Sequence, residues 1–217
     1  MKFDKKFWCQ VDQKVGTEIP MYPERLRMLL KLIKACVDKC DADPTEMPKR
    51  PFVIAIDGRA ASGKSTLAEQ LSKLLGADVI HMDDFFLPQE LRTVDRLTED
   101  GGNIHYERFG REVLPYIKFP EAFSYRIFDC SRMDYNGERT IENHCFRIVE
   151  GSYSHHPKFG KYADLFVFSD VESEEQMRRI LLRNGEEKAR MFAQKWIPME
   201  ERYFAAFGTK THAGAVI

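Results

Sequence analysis

The sequence predicts an α/β protein built on a mostly parallel sheet, because strand-like and helix-like segments alternate along most of the chain. A short run of branched apolar residues at 52–56 is typical of a buried strand, and leucines at helical spacing follow it between residues 67 and 75. Three further apolar runs, at 78–82, 145–149 and 165–168, have the length and composition of strands. Since parallel strands need crossover connections, this alternation favours helices packed on one sheet.

A helical extension is expected ahead of this sheet. After Pro23, apolar side chains recur at helical spacing and predict one amphipathic helix, at Leu26, Leu29, Leu30, Ile33, Val37 and Cys40. Prolines at positions 44, 48 and 51 then interrupt the pattern. We therefore expect an N-terminal helical extension over residues 1–50 and the main domain over residues 51–217.

A small hairpin is expected to project from the sheet. Residues 124–128 and 138–142 flank Asn136-Gly137, the dipeptide best suited to a type I′ turn. The sequence therefore predicts two short antiparallel strands with their turn at this dipeptide.

The composition argues against several classes of protein. The 217 residues include 33 Lys and Arg against 34 Asp and Glu, so no overall positive field favours nucleic acid or an anionic membrane as a partner. No stretch approaches the roughly 20 apolar residues of a membrane span. The 5 cysteines are odd in number and scattered, which fits reduced thiols better than a disulfide framework. We expect a cytoplasmic protein with no nucleic-acid or membrane partner.

The strongest motif lies at residues 58–65 (GRAASGKS), which fit G-x-x-x-x-G-K-[ST] between the first predicted strand and the helix after it. Glycines let such a loop fold closely around a phosphate group, and the helix N-terminus supplies oriented N–H donors. Lys64 would bridge β- and γ-phosphate oxygens, and the Ser65 hydroxyl would reach Mg²⁺. The residues expected to bind ATP, or another nucleoside triphosphate, are Gly58, Ala60, Ala61, Ser62, Gly63, Lys64, Ser65 and Thr66.

A P-loop alone does not separate kinases from GTPases and ATPases. The guanine-reading motif N-K-x-D does not occur in the sequence. A phosphotransferase needs an acidic residue near the acceptor hydroxyl, a second carboxylate on the metal side, and cations that meet the transferred phosphoryl group. The remaining carboxylates and arginines therefore decide the class.

Four segments supply such residues: 54–66 with the P-loop, 79–86 (VIHMDDFF), 148–151 (IVEG) and 178–190 (RRILLRNGEEKAR). Together they resemble the uridine kinase and phosphoribulokinase family of P-loop kinases, with the nucleoside kinase branch closest. The resemblance covers about three quarters of the chain, from about Val53 onward, and leaves out residues 1–50. It implies the three-layer P-loop NTPase fold, with a mostly parallel sheet, a small hairpin insertion and a helical lid.

The resemblance also implies roles for individual residues. Asp83 matches the family's base, which accepts the acceptor's hydroxyl proton, and a carboxylate at the C-terminal end of a parallel strand would point into the ligand crevice. Glu150 matches a glutamate that helps to hold Mg²⁺, so the implied metal-side set is Ser65, Glu150 and Asp83. The lid arginines, Arg179, Arg183 and Arg190, would close on the phosphates. With Asp83 and Lys64 they form the implied catalytic set. A solvated helix with ion pairs along its surface is the alternative interpretation of the lid segment.

The acceptor is less sharply defined. Residues 103–109 have the shape of the family's acceptor-binding loop, with Glu107 where an Asp is usual, and Met133 stands where the family has a histidine that helps to read a pyrimidine base. The expected function is ATP-dependent phosphorylation of a hydroxyl of a small metabolite, with a nucleoside as the first acceptor to test. The alternatives are a pantothenate-like alcohol, a sugar phosphate, or a non-catalytic nucleotide-binding regulatory protein. The basic residues available for a sugar phosphate are Arg126, Arg132 and Arg139. Analogy with the family adds a possible homo-oligomer.

Overall fold

The computed structural model describes residues 3, 5–17, 23–42 and 50–217. The helices are α1 (Lys5–Thr17), α2 (Pro23–Ala42), α3 (Lys64–Leu75), α4 (Val94–Thr98), α5 (Tyr106–Glu112), α6 (Ser173–Met191), α7 (Ile197–Phe207) and α8 (Thr209–His212). The strands are β1 (Phe52–Gly58), β2 (Asp78–His81), β3 (Phe123–Asp129), β4 (Asp134–Ile141), β5 (Phe146–Glu150), β6 (Leu165–Ser169) and β7 (Ala215–Val216). The predicted linker prolines at 44 and 48, and the side chain of Cys40, lie outside the described residues.

Five strands form the main sheet in the order β2-β5-β1-β6-β7, and every neighbouring pair is parallel. The predicted α/β class with a mostly parallel sheet is therefore confirmed. Each of the four predicted core strands is present, although the second ends one residue earlier than expected because residues 82–85 form a short 3-10 helix.

The sheet lies between two hydrophobic clusters, because alternate residues of β1 face opposite sides. Ile54 and Ile56 face the cluster that includes side chains of α1, α2 and α3. Val53 and Ala55 face the cluster that includes side chains of α5, the β3–β4 hairpin and α7. This is the three-layer arrangement that the resemblance implies.

The two N-terminal helices share the first of these clusters with α3. The predicted amphipathic helix is α2, and it buries Leu26 and Ile33 completely. The sequence analysis did not single out α1, although Trp8, Val11 and Val15 recur on one helical face and are at most 5% exposed. The division of the chain at residue 50 stays a prediction.

The hairpin is present, but its turn does not lie at Asn136-Gly137 as predicted. Asp129 pairs with Asp134, so residues 130–133 make the turn. There the Oδ1 atom of Asp129 accepts hydrogen bonds from the backbone N–H of Ser131 at 2.8 Å and from its hydroxyl at 2.6 Å. Met133 completes the turn with a left-handed φ of +54°. The aspartate's own hydrogen bonds to the backbone therefore fix the turn.

The Asn-Gly dipeptide instead forms a β-bulge within β4. The register shifts so that Asn136 and Gly137 together oppose Ile127 of β3. Gly137 has a φ of +85°, which suits the extra residue of a bulge as well as it suits a type I′ turn. Both structures need a positive φ at the glycine, so the dipeptide alone could not distinguish them.

The described helices, including the 20-residue α2, all lack the combination of length and apolar character that crossing a bilayer requires.

Candidate active site

The P-loop begins where β1 ends, and its first glycine has no room for a side chain. Gly58 has a φ of +138°, and a Cβ there would lie 2.0 Å from the backbone oxygen of Ser169 in the neighbouring strand β6. Gly63, with a φ of +96°, leads into α3. The loop therefore presents the start of α3, with its oriented N–H groups, to a cavity at the carboxyl end of the sheet.

Lys64 lies back across the loop that carries it. Its Nζ atom donates hydrogen bonds to the carbonyl oxygens of Gly58 and Arg59, both at 2.8 Å. The side chain is 8% exposed and lines the cavity. Because an ammonium group has three N–H donors, one remains for a phosphate oxygen.

Glu200 of α7 braces the loop, a role that the sequence analysis missed. Its Oε2 atom accepts a hydrogen bond from the backbone N–H of Ala60 at 2.9 Å, and its Oε1 atom accepts one from the Ser152 hydroxyl at 2.7 Å. Burial raises the pKa of the Glu200 carboxyl, although the Lys64 ammonium opposes this. An acidic residue on the buried face of α7, beside Tyr203 and Phe204, was the available signal.

The Ser65 hydroxyl meets the carboxylate at the end of β5. It donates to the Oε2 atom of Glu150 at 3.1 Å. The other oxygen, Oε1, lies 2.6 Å from Nδ1 of His81, which the strand register places opposite Glu150 in β2. The hydrogen bond with Glu150 raises the pKa of the His81 imidazole against the opposing effect of its burial.

This pair suits Mg²⁺. The ion takes hard oxygen ligands in octahedral geometry and commonly keeps several waters, with only one or two carboxylates from the protein. The Ser65 hydroxyl and the buried Glu150 carboxylate are such oxygens and already lie in contact. Within the described ranges, no group of three or more His, Cys, Asp or Glu side chains could hold a metal by itself, so a metal here would depend on phosphate and water oxygens as well.

Asp83 lies in the 3-10 helix that follows β2, and its side chain opens into the same cavity. Loss of hydration raises the pKa of the Asp83 carboxyl, and the negative Glu150 raises it further. The positive charges of Lys64 and His81 offset this in part. A carboxylate in this environment has a stronger affinity for a proton than an ordinary aspartate.

The adjacent Asp84 faces the hairpin instead. Its Oδ2 atom accepts hydrogen bonds from the Tyr125 hydroxyl at 2.9 Å and from Nε of Arg139 at 3.3 Å. Its backbone oxygen accepts one from the buried guanidinium of Arg108. Asp84 therefore anchors the segment that carries Asp83.

The lid segment is helical, but it is broken at Gly185, which has φ +79° and ψ 172°. Before the break, Arg179 and Arg183 line the cavity, and Arg179 also donates to the carbonyl oxygen of Ala61 at 3.1 Å. After the break, Arg190 is exposed and does not line the cavity. Arg179 also forms an ion pair with Glu175 at 2.7 Å. The helix therefore has features of a lid over the cavity and of a solvated helix with ion pairs along its surface.

The cavity has a volume of about 580 Å³, within the range of ligand pockets, ~300–1,000 Å³. Of the residues that the sequence analysis assigned to the site, those that line it are Ala60, Ala61, Gly63, Lys64, Ser65, Thr66, Asp83, Glu150, Arg179 and Arg183. Gly58, Ser62 and Arg190 do not line it; Gly58 and Ser62 lie within the loop, packed against Ser169.

The cavity is also lined by Phe86, Arg92, Asn103, Cys130 and Met133, which we call the acceptor end. Asn103 belongs to the loop that the resemblance assigned to the acceptor, and Met133 stands where the family has its base-reading histidine. Arg92 and Cys130 were given no role from the sequence. Glu107, expected to face the acceptor, instead receives two hydrogen bonds from Arg96, at 2.7 and 2.9 Å, outside the cavity lining.

The basic residues expected to hold a sugar phosphate also lie elsewhere. Arg126 pairs with Glu112 at 2.6 Å and Arg139 with Asp84 at 3.3 Å, while Arg132 is an exposed residue of the hairpin turn. None of these three arginines lines the cavity.

The parallel sheet gathers a P-loop lysine, a serine–glutamate pair and a further carboxylate around one cavity, which are groups that a P-loop kinase acting on small molecules needs. No family model matches the chain. The chain is 24% identical over 201 residues to uridine-cytidine kinase B of Dictyostelium discoideum, a match that covers 80% of this chain and 76% of that protein.

Two solved structures share the fold. One, described as a possible uridine kinase from Bacillus stearothermophilus, matches with a TM-score of 0.60 and 19% identity, over 86% of this chain and 99% of its own. The other, provisionally assigned as a fructose transport system kinase from Silicibacter sp. TM1040, has a TM-score of 0.64 and 22% identity, over 85% of this chain and 97% of its own. The comparisons confirm the resemblance to uridine kinase-like P-loop kinases and support a small-molecule kinase.

Proposed function

We propose that the protein transfers the γ-phosphoryl group of ATP to a hydroxyl group of a small metabolite. The observation that supports this most directly is the joint placement of Lys64, Ser65, Glu150 and Asp83 around one cavity. Asp83 takes the proton of the acceptor hydroxyl. The acceptor oxygen forms a bond to the γ-phosphorus, the bond from that phosphorus to the β–γ bridging oxygen breaks, and ADP leaves.

Positive charge for the transferred group comes from the loop and the lid. Lys64, Arg179 and Arg183 line the cavity and would stabilise the negative charge of the phosphoryl oxygens. Ser65 and Glu150 are the residues that would hold Mg²⁺, which neutralises phosphate charge when bound. A metal contact by Asp83, or a phosphate contact by Arg190 after lid closure, would be additional to these.

A nucleoside is one candidate acceptor. It is supported by the names of the two relatives, a uridine-cytidine kinase and a possible uridine kinase. A second candidate is a charged alcohol, because Arg92 lies at the acceptor end, where the family's base-reading histidine is replaced by Met133. A purely regulatory nucleotide-binding protein would have no use for a carboxylate such as Asp83 in the cavity.

A cytoplasmic location fits this proposal. The cysteines in the part of the chain that the structure describes are free thiols, which supports a reducing compartment.

The test is coupled ADP release with ATP and Mg²⁺ against uridine, cytidine, other nucleosides, pantothenate, fructose and sugar phosphates. Lys64→Met should abolish acceptor-dependent ADP release, whereas the matched change at the exposed Lys73 of the same helix should preserve it. ATP binding, measured by calorimetry, is followed in parallel. Tight ATP binding without ADP release for any acceptor would contradict the kinase proposal and favour the regulatory one.

A further inference from the structure

Two residues of the acceptor end, Arg92 and Asn103, are tied by hydrogen bonds to the segment that follows Asp83. The N–H of Leu87 donates to the carbonyl oxygen of Asn103 at 3.2 Å, and that of His105 donates to the carbonyl oxygen of Phe85 at 2.7 Å. The Nε atom of Arg92 in turn donates to the carbonyl oxygen of Leu87 at 2.8 Å. Asn103 and the Arg92 guanidinium are thus fixed relative to the segment that follows Asp83.

Arg92 differs in its partners from the hairpin arginines. Arg126 and Arg139 each form an ion pair with a carboxylate. In residues 50–217, no carboxylate lies within ion-pair distance of Arg92. Its Nε donates to Leu87, and its side chain also hydrogen-bonds with the Cys130 thiol, so the remaining N–H groups of the guanidinium are available to the cavity that Arg92 lines.

Arg92 and the proposed base line the same cavity, together with Cys130 of the hairpin turn. A ligand group bound to Arg92 and a hydroxyl placed at Asp83 would therefore occupy one cavity.

Asn103 offers an independent sign of a ligand. Its side-chain oxygen, Oδ1, is buried without a hydrogen-bond partner, and the residue is only 5% exposed. A buried polar atom without a partner is costly, and a ligand commonly supplies the missing hydrogen bond. Since Asn103 lines the same cavity and Oδ1 is an acceptor, the missing partner is a donor such as a hydroxyl group.

We propose that the phosphoryl acceptor is an anionic alcohol, whose carboxylate or phosphate group binds the Arg92 guanidinium while a second hydroxyl donates to Oδ1 of Asn103. Two coplanar guanidinium N–H groups match the two oxygens of a carboxylate or phosphate, which a neutral nucleoside does not offer. This inference rests on the proposed kinase function, and it names the chemical class of the acceptor at the same site.

The test compares ligands that differ only in the charged group: D-glycerate with glycerol, pantothenate with pantothenol, and fructose 6-phosphate with fructose. Binding is measured by calorimetry in the presence of Mg²⁺ and a non-hydrolysable ATP analogue. At least one anionic member should bind about 10- to 100-fold more tightly than its neutral partner. Which pair shows the preference distinguishes a carboxylate from a phosphate.

Variants then assign the preference to Arg92. Arg92→Gln should remove it, and Arg92→Lys should retain part of it because the charge remains without the planar fork. The matched control is Arg132→Gln, since Arg132 is exposed and does not line the cavity. The proposal is overturned if no pair shows a preference, or if the preference persists in Arg92→Gln.

Turnover separates this inference from the function on which it rests. ADP release with uridine, together with no preference for any anionic ligand, would leave the kinase function standing and overturn the anionic acceptor. An Arg92-dependent preference for an anionic ligand without ADP release would support the assigned ligand class and contradict the kinase function.

Discussion

Replacing Asp83 by Asn should slow phosphoryl transfer without destabilising the protein, whereas the same change at the adjacent Asp84 should destabilise it and leave catalysis nearly intact. Of these two aspartates, only Asp83 lines the cavity. Asp84 accepts hydrogen bonds from Tyr125 and Arg139. The two carboxylates are neighbours in the chain, so each variant controls for the other.

For Asp83→Asn, loss of a general base should lower kcat/KM by roughly 100- to 10,000-fold. Stability should respond differently. The Asp83 side chain is exposed in the cavity, and the hydrogen bonds to the hairpin are made by Asp84 instead. Asp83→Asn should therefore leave Tm at pH 7 nearly unchanged.

For Asp84→Asn, two hydrogen bonds lose the charge that strengthens them, at 2.9 Å and 3.3 Å. Hydrogen bonds to charged groups contribute about 1.5–3 kcal/mol, and a loss of about 2 kcal/mol should lower Tm by about 4–8 °C in a protein of this size. Coupled ADP release gives kcat/KM, and thermal unfolding followed by circular dichroism gives Tm. The assignment is refuted if Asp83→Asn keeps kcat/KM within tenfold while Asp84→Asn loses more than 100-fold at an unchanged Tm.

Three further predictions follow from contacts around the loop and the acceptor end. Gly58→Ala should lower the free energy of unfolding by about 3 kcal/mol or more, because the new Cβ would lie 2.0 Å from the backbone oxygen of Ser169. Urea unfolding measures this change, and a decrease below about 1 kcal/mol would contradict the prediction. Arg25→Ala, which removes α2's hydrogen bonds to backbone carbonyls beside the P-loop at 2.9 and 3.4 Å, should weaken ATP binding by roughly fivefold in calorimetry. Partial burial raises the pKa of Glu107, but hydrogen bonds from Arg96 outweigh it and hold that pKa at about 2, against 4.5 ordinarily. Because the folded pKa is lowered, this pair's stabilisation should be present above pH ~4.5 and disappear towards pH ~2. Because the Glu107 side chain is 42% exposed, the pair should contribute only about 1 kcal/mol to the free energy of unfolding. The difference in this free energy between the protein and its Glu107→Gln variant should vanish at low pH.

The nucleotide half of the site could be predicted from the sequence because it is almost contiguous. Eight residues, 58–65, contain the glycine conformations, the lysine and the serine, and local backbone geometry brings them together. The hairpin shows the limit of local reasoning. Asn136-Gly137 favours a positive φ in any context, but whether that φ serves a turn or a bulge depended on the competing hydrogen bonds of Asp129.

The acceptor end could not be predicted in this way, because its residues have no fixed spacing in the sequence. Leu87 donates a backbone hydrogen bond to Asn103 and accepts one from Arg92, and Cys130 and Met133 reach the cavity because the hairpin turn falls at residues 130–133. With the turn at Asn136-Gly137, Cys130 and Met133 would have fallen within strand β3. The misplaced turn therefore also explains why Cys130 was missed.

Strand order explains why the two carboxylates of the site, Glu150 and Asp83, line one cavity. The P-loop follows β1, Glu150 ends β5 and Asp83 follows β2, and the order β2-β5-β1 places the three strand ends side by side. If β2 paired directly with β1, Glu150 could not lie between the P-loop and Asp83. Register matters equally, because a slip of one residue in β5 would turn the Glu150 side chain to the opposite face of the sheet, away from Ser65 and His81. The chemistry of this site therefore depends on long-range strand pairing as much as on the motif.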